Sequence, residues 1–319
     1  MKASNNNFDL GIVSWDEHAA ALTDIRHQVF VAEQNVPLDE EIDNLDAEAS
    51  TQHLLCYLEK KPIACARLLA NGQIGRMAVL AEHRGCGVGL MMLRTLLRHR
   101  LAEVGDHPNP PFLHAQLHAI DFYRKAGFIE TGEVFMDAGI PHRNMELDRR
   151  NADIYTFIYA DEVVRLEGVT MVGQHIGQQL NVARRSFDLY CGELHPAIWS
   201  KPQIVTAMSA LARLSRNSSI RILLRDSSAL KGNRDALVQL SQRLPSRMAI
   251  RVVTTHEPTA NISYGIIDQK RMVFLNDEVS FMGFANYNAA AESRHQLDEF
   301  ERLWQHCSAS DPNLAQIFI

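Results

Sequence analysis

The fold of the first half is decided by Ile74–Leu101, which reads IGRMAVLAEHRGCGVGLMMLRTLLRHRL. Its opening residues, Ile74–Leu80, form a short apolar run typical of a buried strand. A turn rich in glycine and charge follows, and Val88–Leu101 then repeats leucine at spacings of three and four, which predicts a helix. A strand, a glycine turn and a helix in this order collect backbone N–H groups at one helix start, where a phosphate group can bind.

The choice of phosphate ligand depends on the turn RGCGVG, residues 84–89. The turn has neither the Gly-Lys-Ser/Thr ending of a Walker A loop nor the G-x-G-x-x-G spacing of a dinucleotide site. It resembles motif A of the GCN5-related N-acetyltransferases (GNAT), Q/R-x-x-G-x-G/A, with Arg84, Gly87 and Gly89 at the fixed positions. The resemblance implies that the loop holds the pyrophosphate of coenzyme A. An ordinary glycine-rich turn is the alternative.

Three further stretches resemble the same family. Residues 116–128, QLHAIDFYRKAGF, match its later signature N-x-x-A-x-x-F-Y-x-K-x-G-F, with Gln116 in place of asparagine. Residues 26–43 and 138–142 are similar to the opening and closing stretches of one bacterial subgroup of small acetyltransferases. The resemblance implies an α/β, mixed-sheet GNAT acetyltransferase fold for the domain predicted over residues 1–150.

The resemblance also implies an acetyl-CoA site and the residues that hold it. The cofactor-binding set comprises Met77, Ala78, Val79, Arg84, Gly85, Cys86, Gly87, Val88, Gly89, Gln116, Phe122 and Lys125. A backbone N–H on Met77–Val79 would polarise the thioester carbonyl. Tyr123 matches the family tyrosine near the leaving thiolate, so it is the predicted catalytic acid. Packing in the core is the alternative role for Tyr123.

The group that removes the proton from the acceptor, a small-molecule or peptide amine, stays open. Glu33, His53, His114 and His142 flank predicted strand ends or matched stretches, and each is a candidate for substrate contact or for a structural role. Water is the other candidate for the base. His114 and His118 have a helical metal-ligand spacing, but His114 falls on a predicted strand, so no metal site is expected.

Composition limits the partners and the compartment. The 319 residues are enough for two domains, and the net charge of −6 arises in residues 1–150, which carry 15 basic and 21 acidic residues. An acidic chain disfavours nucleic acid and anionic membranes as partners. The chain shows no bilayer-spanning apolar run, no signal peptide and no C-x-x-C pair among five cysteines. These features predict a cytoplasmic protein.

An acidic run, DEEID at residues 39–43, follows Pro37, and Asp46 and Glu48 come soon after. Such a run is typical of a solvated loop. The functional alternative is an acidic rim that raises the local concentration of a cationic amine.

The second half is predicted to be a separate domain. The polar stretch DRRNAD at residues 148–153 has no strand or helix periodicity and marks the boundary. Residues 154–319 alternate helical and strand patterns, which predicts an α/β sandwich. The predicted strands include Val279–Gly283, and Ala289–Cys307 is the predicted closing helix.

This half resembles one repeat of the phospholipase D superfamily, whose motif H-x-K-x-x-x-x-D precedes G-S-A-N. Asp268 stands at the aspartate position and Gly283–Asn286 at G-S-A-N. Asn261 and Ser263, however, replace the nucleophilic histidine and the phosphate-binding lysine. Asparagine is not a nucleophile and serine carries no positive charge, so the resemblance implies a degenerate, inactive phospholipase D-like domain.

The function favoured is a transferase, an acetyl-CoA-dependent N-acetyltransferase with an inactive second domain. A single phospholipase D-like repeat lacks the partner repeat that covers its face, so homodimerisation or partner binding is its expected role. Packing of this face against the acetyltransferase domain is the alternative. Phosphodiesterase activity and a non-enzymatic acetyl-CoA sensor are the alternatives.

Overall fold

The structure, a computed structural model, describes residues 8–102, 110–148, 154–159, 162–254, 261–307 and 310–314. Contacts divide the chain into two compact units, Met1–Ile158 and Tyr159–Ile319. The predicted boundary lies largely in residues 149–153, outside the described residues, and the short helix Ile154–Ile158 groups with the first unit. None of the described helices is long and apolar enough to cross a membrane.

The first unit is built on one mixed sheet. Its described strands are β1 Phe8–Val13, β2 Gln52–Leu58, β3 Lys61–Leu68, β4 Gln73–Val79, β5 Phe112–Gln116, β6 Phe128–Asp137 and β7 Ile140–Leu147. Its described α-helices are α1 Trp15–Arg26, α2 Leu38–Glu41, α3 Val88–Ala102, α4 Ile120–Lys125 and α5 Ile154–Ile158. The strand order is β1-β2-β3-β4-β5-β7-β6, and only β4 and β5 are parallel. The α/β mixed sheet predicted for this half is confirmed.

Two helices supply the apolar contacts of the first unit. Leu22 and Ile25 of α1 pack in one buried cluster with Leu55 and Cys65 of the sheet, because α1 presents one apolar face at helical spacing. On α3 the buried positions include Leu93 and Leu97, which belong to the predicted leucine stripe. Beyond α1 the chain continues as π-helical turns over His27–Glu33.

Strand β4 changes its pairing halfway along. It pairs with β5 at Gln73–Phe112 and Ile74–Leu113, and within the described residues the pairing extends no further. The register between β3 and β4 shifts in the same region, and Arg76 adopts a φ of 51°. Such an irregularity bends a strand locally. The parallel strands therefore part beside Met77, and this gap becomes one wall of the candidate site.

The acidic segment is not the solvated loop that its charge predicts. Leu38–Glu41 forms one helical turn and Asn44–Ala47 a 3-10 turn. Glu41 is only 4% exposed and Asp46 only 2%. The prediction of a solvated loop was wrong because carboxylates can be buried when they pair with arginines. Here those arginines come from distant parts of the chain, so the local charge pattern does not reveal them.

Three arginines from α1, β3 and β4 neutralise this segment. Arg26 pairs with Glu41 and, at 3.0 Å, with Asp46. Arg67 lies 2.8 Å from Asp46 and 2.6 Å from Asp43, and Arg76 lies 3.0 Å from Glu41. Burial opposes ionisation of Asp43, but the hydrogen bond and charge of Arg67 outweigh it and hold the pKa of that carboxyl below its usual value. Ion pairs of the acidic segment therefore connect the bend of β4 to α1 and β3.

The second unit contains another mixed sheet. Its described strands are β8 Val163–Glu167, β9 Ser186–Cys191, β10 Ser219–Leu224, β11 Met248–Val252, β12 Ser263–Ile267, β13 Arg271–Asp277 and β14 Met282–Asn286. Its described α-helices are α6 Gly168–Asn181, α7 Pro196–Trp199, α8 Pro202–Leu214, α9 Ala236–Arg243 and α10 Ala290–His306. The strand order is β11-β10-β9-β12-β13-β14-β8, with β9, β10 and β11 parallel. An α/β unit is present, while the phospholipase D-like sandwich stays a prediction.

One predicted strand of this unit is displaced. The apolar pattern predicts a strand at Val279–Gly283, whereas β14 begins at Met282. The Asp277 carboxylate accepts the backbone N–H of Val279 at 3.1 Å and the hydroxyl of Ser280 at 2.6 Å, which holds these residues in a turn. Strand β8 and helix α7 are further elements that the sequence patterns did not indicate.

Candidate functional site

The glycine loop lines a cavity of about 570 Å³ at the start of α3. Gly85 and Gly87 have φ values of 76° and 86°, which favour glycine. A Cβ built on Gly87 would meet no atom within 4 Å, so the space in front of the loop is open. Of the residues predicted to bind the cofactor, the cavity is lined by Val79, Arg84, Gly85, Gly87, Val88, Gly89, Phe122 and Lys125.

The chemistry of this lining fits a pyrophosphate. The first N–H groups of the 15-residue helix α3 and its dipole favour an anion. Lys125 adds an exposed cation, and the described lining includes no acidic side chain. Phe122 and Leu90 supply an apolar wall for the uncharged part of a ligand. Residues of the loop could therefore hold a pyrophosphate through backbone donors, with Lys125 as a nearby cation.

Arg84 is engaged by the protein itself. Its Nε donates to the carbonyl oxygen of Val79 at 2.9 Å, and its Nη2 lies 2.6 Å from Glu33 Oε2. Glu33 is thus the partner of Arg84, and it lines neither this cavity nor the cleft beside β4 that is described next. Two other predicted residues also lie outside the lining: Cys86 is exposed, with Sγ 3.7 Å from the carbonyl oxygen of Arg84, and Ala78 is buried.

A cleft of about 280 Å³ opens beside β4 and collects most of the polar residues predicted for chemistry. Met77, His114, Gln116, Tyr123 and His142 all line it. The hydroxyl of Tyr123 donates to Met77 Sδ at 3.6 Å, and burial raises the pKa of Tyr123 to about 12. Gln116 Nε2 donates to Gln34 Oε1 at 3.0 Å. A protonated phenol therefore stands in this cleft at neutral pH.

Two histidines stand on the sheet wall of the cleft. His142 is 8% exposed, and its Nδ1 lies 2.9 Å from the carbonyl oxygen of Ile140. Assigned as the donor in that bond, Nδ1 carries the proton of the neutral ring and leaves Nε2 able to accept one. Desolvation lowers the pKa of His114, His142 lowers it further, and Asp137 opposes both. A neutral His114 is the consequence near pH 7.

His53 has a structural setting instead. Its side chain is 1% exposed, its Nε2 lies 3.0 Å from the carbonyl oxygen of Asp46, and its ring lies 5.2 Å from that of Trp15. Burial lowers the pKa of His53. The residue supports the arginine–carboxylate cluster and does not line the cleft.

The loop cavity and the cleft adjoin along two short segments. Met77 lines the cleft and Val79 the loop cavity, two residues apart on β4. On α4, Tyr123 lines the cleft and Phe122 the loop cavity. A ligand held at the glycine loop and reaching along β4 would therefore meet the Tyr123 hydroxyl.

Sequence reasoning missed several residues of the cleft wall. The wall also contains Gln34, Glu40, Glu41, Arg76 and Asp137. Arg76 and Glu41 reach it through the bend of β4 and the ion pairs of the acidic segment, which are tertiary features. Gln34, Glu40 and Glu41 had a signal, because all three lie within the stretch 26–43 that resembles the acetyltransferase subgroup.

In the second unit, the aspartate of the phospholipase D-like motif, Asp268, is bound by the protein itself. Asp268 has a φ of 52° in the turn between β12 and β13, and its carboxylate accepts the backbone N–H groups of Arg184, Arg185 and Ser186 at 2.7–3.1 Å. It also pairs at 2.6 Å with Arg271, whose side chain is fully buried. Asp268 thus joins the turn between β12 and β13 to the start of β9 by hydrogen bonds.

Comparisons of each half with known proteins agree with this division. The model of the acetyltransferase (GNAT) domain matches residues 17–149, and the model of a domain of unknown function, DUF7931, matches residues 170–317. The second match gives no support to the phospholipase D resemblance. An activity of the second unit is therefore not indicated by its family.

Two curated relatives share the first half. An uncharacterised N-acetyltransferase, YjcF of Bacillus subtilis, is 38% identical over 128 residues, which are 39% of this chain and 88% of the relative. Protein ElaA of Escherichia coli is 35% identical over 131 residues, 39% of this chain and 84% of the relative. The crystal structure of Escherichia coli ElaA matches with a TM-score of 0.41 at 29% identity, covering 44% of this chain and 99% of that one.

Proposed function

The chain belongs to the GNAT acetyltransferase family, and from this premise we propose that its first unit transfers an acetyl group from acetyl-CoA to a small-molecule or peptide amine. The observation that carries the proposal is the junction of the two cavities along Met77–Val79 and Phe122–Tyr123. One cavity offers donors for a pyrophosphate, and the other offers a protonated phenol and the imidazoles of His114, His118 and His142. Acyl transfer between a thioester and an amine needs both sets side by side.

Different residues act on the pyrophosphate, the thioester carbonyl and the leaving sulfur of acetyl-CoA. Backbone N–H groups at Gly87–Gly89 and the Lys125 ammonium hold the pyrophosphate. A main-chain N–H within Met77–Val79 polarises the thioester carbonyl, where β4 has left its partner strand. Tyr123 holds a proton on its Oη that the leaving sulfur can take, since the raised pKa keeps the phenol protonated at neutral pH.

His142 is the base that we favour among the candidates. Its Nδ1 is fixed by the Ile140 carbonyl, so Nε2 is the acceptor for a proton of the amine. His114 is the second choice, because its lowered pKa also leaves it neutral. Glu33 and His53 are occupied by Arg84 and by the Asp46 carbonyl. The cleft carboxylates Glu40 and Asp137 would favour a cationic amine at its entrance.

Thiol release tests the proposal. The full chain is mixed with acetyl-CoA and a panel of amines, polyamines and peptides with free N-termini, and free thiol is followed with a disulfide reagent. Amine-dependent release that falls strongly in Tyr123→Phe would support acetyl transfer. Acetyl-CoA binding by calorimetry without turnover on any amine would favour the sensor alternative.

The second unit is proposed to be a degenerate phospholipase D-like domain without hydrolytic chemistry that serves dimerisation or partner binding. Asn261 and Ser263 stand where the nucleophile and the cation would be, and Asp268 is bound within a turn. Val163 and Met282, which are 57% and 41% exposed, lie on the edge strand β8 and its neighbour β14. Exposed strand edges with apolar side chains can pair with another chain. Light scattering of the full chain tests for a dimer, and a monomer at micromolar concentration would count against it.

A further inference from the structure

The second unit contains a cavity that the proposed acyl transfer does not use. Its volume is about 350 Å³, within the range of small-molecule sites. It lies at the carboxyl end of β9, at Leu189 and Cys191, and the turn before β14 closes it through Val279 and Phe281. The cavity is partly open to solvent, so a small molecule can enter it.

The walls of this cavity are mainly apolar. Val172 and Ile176 come from α6, and Ile198 and Trp199 come from α7. All four side chains are buried in the unit, with exposed fractions of 4% or less. Rigid apolar walls of this kind accept an aliphatic or aromatic group, because burying that group removes apolar surface from water.

The lining also includes polar residues, and two of them, Glu193 and Glu278, are carboxylates. Glu278 is already neutralised, since it pairs with Arg225 and accepts the N–H of Gly192 at 2.8 Å. Glu193 is exposed at the rim and lies on the same lining. Among the described lining residues there is no lysine or arginine. The charge of the lining therefore favours a cationic ligand and opposes an anionic one.

Ser263 and His195 add further hydrogen-bonding groups. His195 Nδ1 accepts the backbone N–H of Ala197 at 3.3 Å, which leaves Nε2 for a ligand. Ser263 is 5% exposed and stands where the phospholipase D motif would have its phosphate-binding lysine. With no cation there, the cavity is unsuited to a phosphate group.

We propose that this cavity is a binding site for an amine with an apolar body, such as an arylalkylamine. The apolar body lies against Val172, Ile176 and Trp199, and the ammonium group lies toward Glu193. The site belongs to the second unit alone, and the inference does not depend on acyl transfer by the first unit.

Tryptophan fluorescence of the full chain tests the site, because Trp199 forms part of its wall. The three tryptophans are Trp15, Trp199 and Trp304, and the last stacks on Phe300 and Arg251 outside the cavity lining. A Trp15→Phe/Trp304→Phe protein leaves Trp199 as the reporter and keeps the cavity intact. Titration with 2-phenylethylamine should change its emission saturably at millimolar or lower concentration. An unchanged emission in this folded protein would overturn the proposal.

Charge selection is the second arm of the test. In the same protein 2-phenylethylamine should bind at least about tenfold more tightly than phenylacetate, which has the opposite charge. Glu193→Gln should weaken the amine about twofold to fivefold, as expected for one exposed ion pair, and leave 2-phenylethanol unchanged. Glu292→Gln, an exposed carboxylate on α10, is the matched control and should change neither. Equal binding of phenylacetate and the amine would contradict the proposal.

Discussion

Tyr123 in the first unit and Asp268 in the second stand at positions that a sequence motif assigns to chemistry, yet their polar atoms are used differently. Among the described residues, the Tyr123 hydroxyl makes one weak hydrogen bond, to the sulfur of Met77, and it lines an open cleft. The Asp268 carboxylate accepts three backbone N–H groups and pairs with a buried arginine. A residue at a motif position can take part in a reaction only where its polar atoms are free to hydrogen-bond to a ligand. The following predictions test this difference.

The largest effect is expected on stability, from Asp268→Ala. Loss of the carboxylate removes its ion pair with the buried Arg271 guanidinium, and breaking a buried ion pair typically costs about 3–5 kcal/mol. Chemical denaturation of the full chain should show this loss for the second unit, while acyl transfer by the folded protein stays unchanged. Asp298→Ala on α10 is the control, because that carboxylate is exposed. A stable Asp268→Ala protein would show that the turn is not held as described.

Gly87→Glu should weaken acetyl-CoA binding by about 100-fold or more. The substitution places a carboxylate against the pyrophosphate and forces a side chain into a φ of 86°, and like charges in contact cost several kcal/mol. Isothermal titration calorimetry measures the change. Gly232→Glu is the matched control, since Gly232 has a φ of 73° and open space but lies in the second unit. Equal affinities of the two variants for acetyl-CoA would show that the glycine loop does not bind acetyl-CoA.

Tyr123→Phe should lower kcat by about 100-fold, the usual contribution of a general acid, and change KM for acetyl-CoA much less. Stability should change little, in contrast to Asp268→Ala, because the lost contact is with a sulfur. The wild-type rate should show no loss from ionisation of this phenol until the pH approaches its pKa of about 12. Steady-state kinetics against pH, with Tyr57→Phe on β2 as control, checks both points. A less than threefold change, with chemistry rate-limiting, would make Tyr123 a packing residue.

The smallest effect concerns Asp43, a carboxylate of the first unit that is structural like Asp268. Arg67 lowers its pKa, so its stabilisation is present above the unfolded-state pKa of about 3.9 and is lost as the pH falls through the lower folded-state value. Asp43→Asn should therefore cost about 1 kcal/mol at pH 7, because the carboxyl is about a third exposed, and less at pH 3, which lies below the unfolded-state pKa. Denaturation at the two pH values measures this. Asp39→Asn, an exposed carboxylate of α2, should show no such pH dependence.

Local patterns predicted much of the fold and part of the site. Helix α3 extends one residue beyond its predicted end, and strand β4 begins and ends one residue before the predicted run Ile74–Leu80, because apolar periodicity and glycine placement are local signals. The buried state of Glu41 and Asp46 was not predictable, since it depends on Arg26, Arg67 and Arg76 arriving from three other elements. The cleft residues Arg76 and Asp137 were missed for the same reason.

Mass spectrometry of the reaction products shows whether the first unit transfers an acetyl group to an amine. The full chain is incubated with acetyl-CoA carrying a ¹³C-labelled acetyl group and the amine panel, with Tyr123→Phe in parallel. We expect the label to appear in an N-acetylated amine in amounts equal to the coenzyme A released, and we expect both to fall together in Tyr123→Phe. Release of coenzyme A with the label recovered only as acetate, or equal product from the variant, would contradict this expectation.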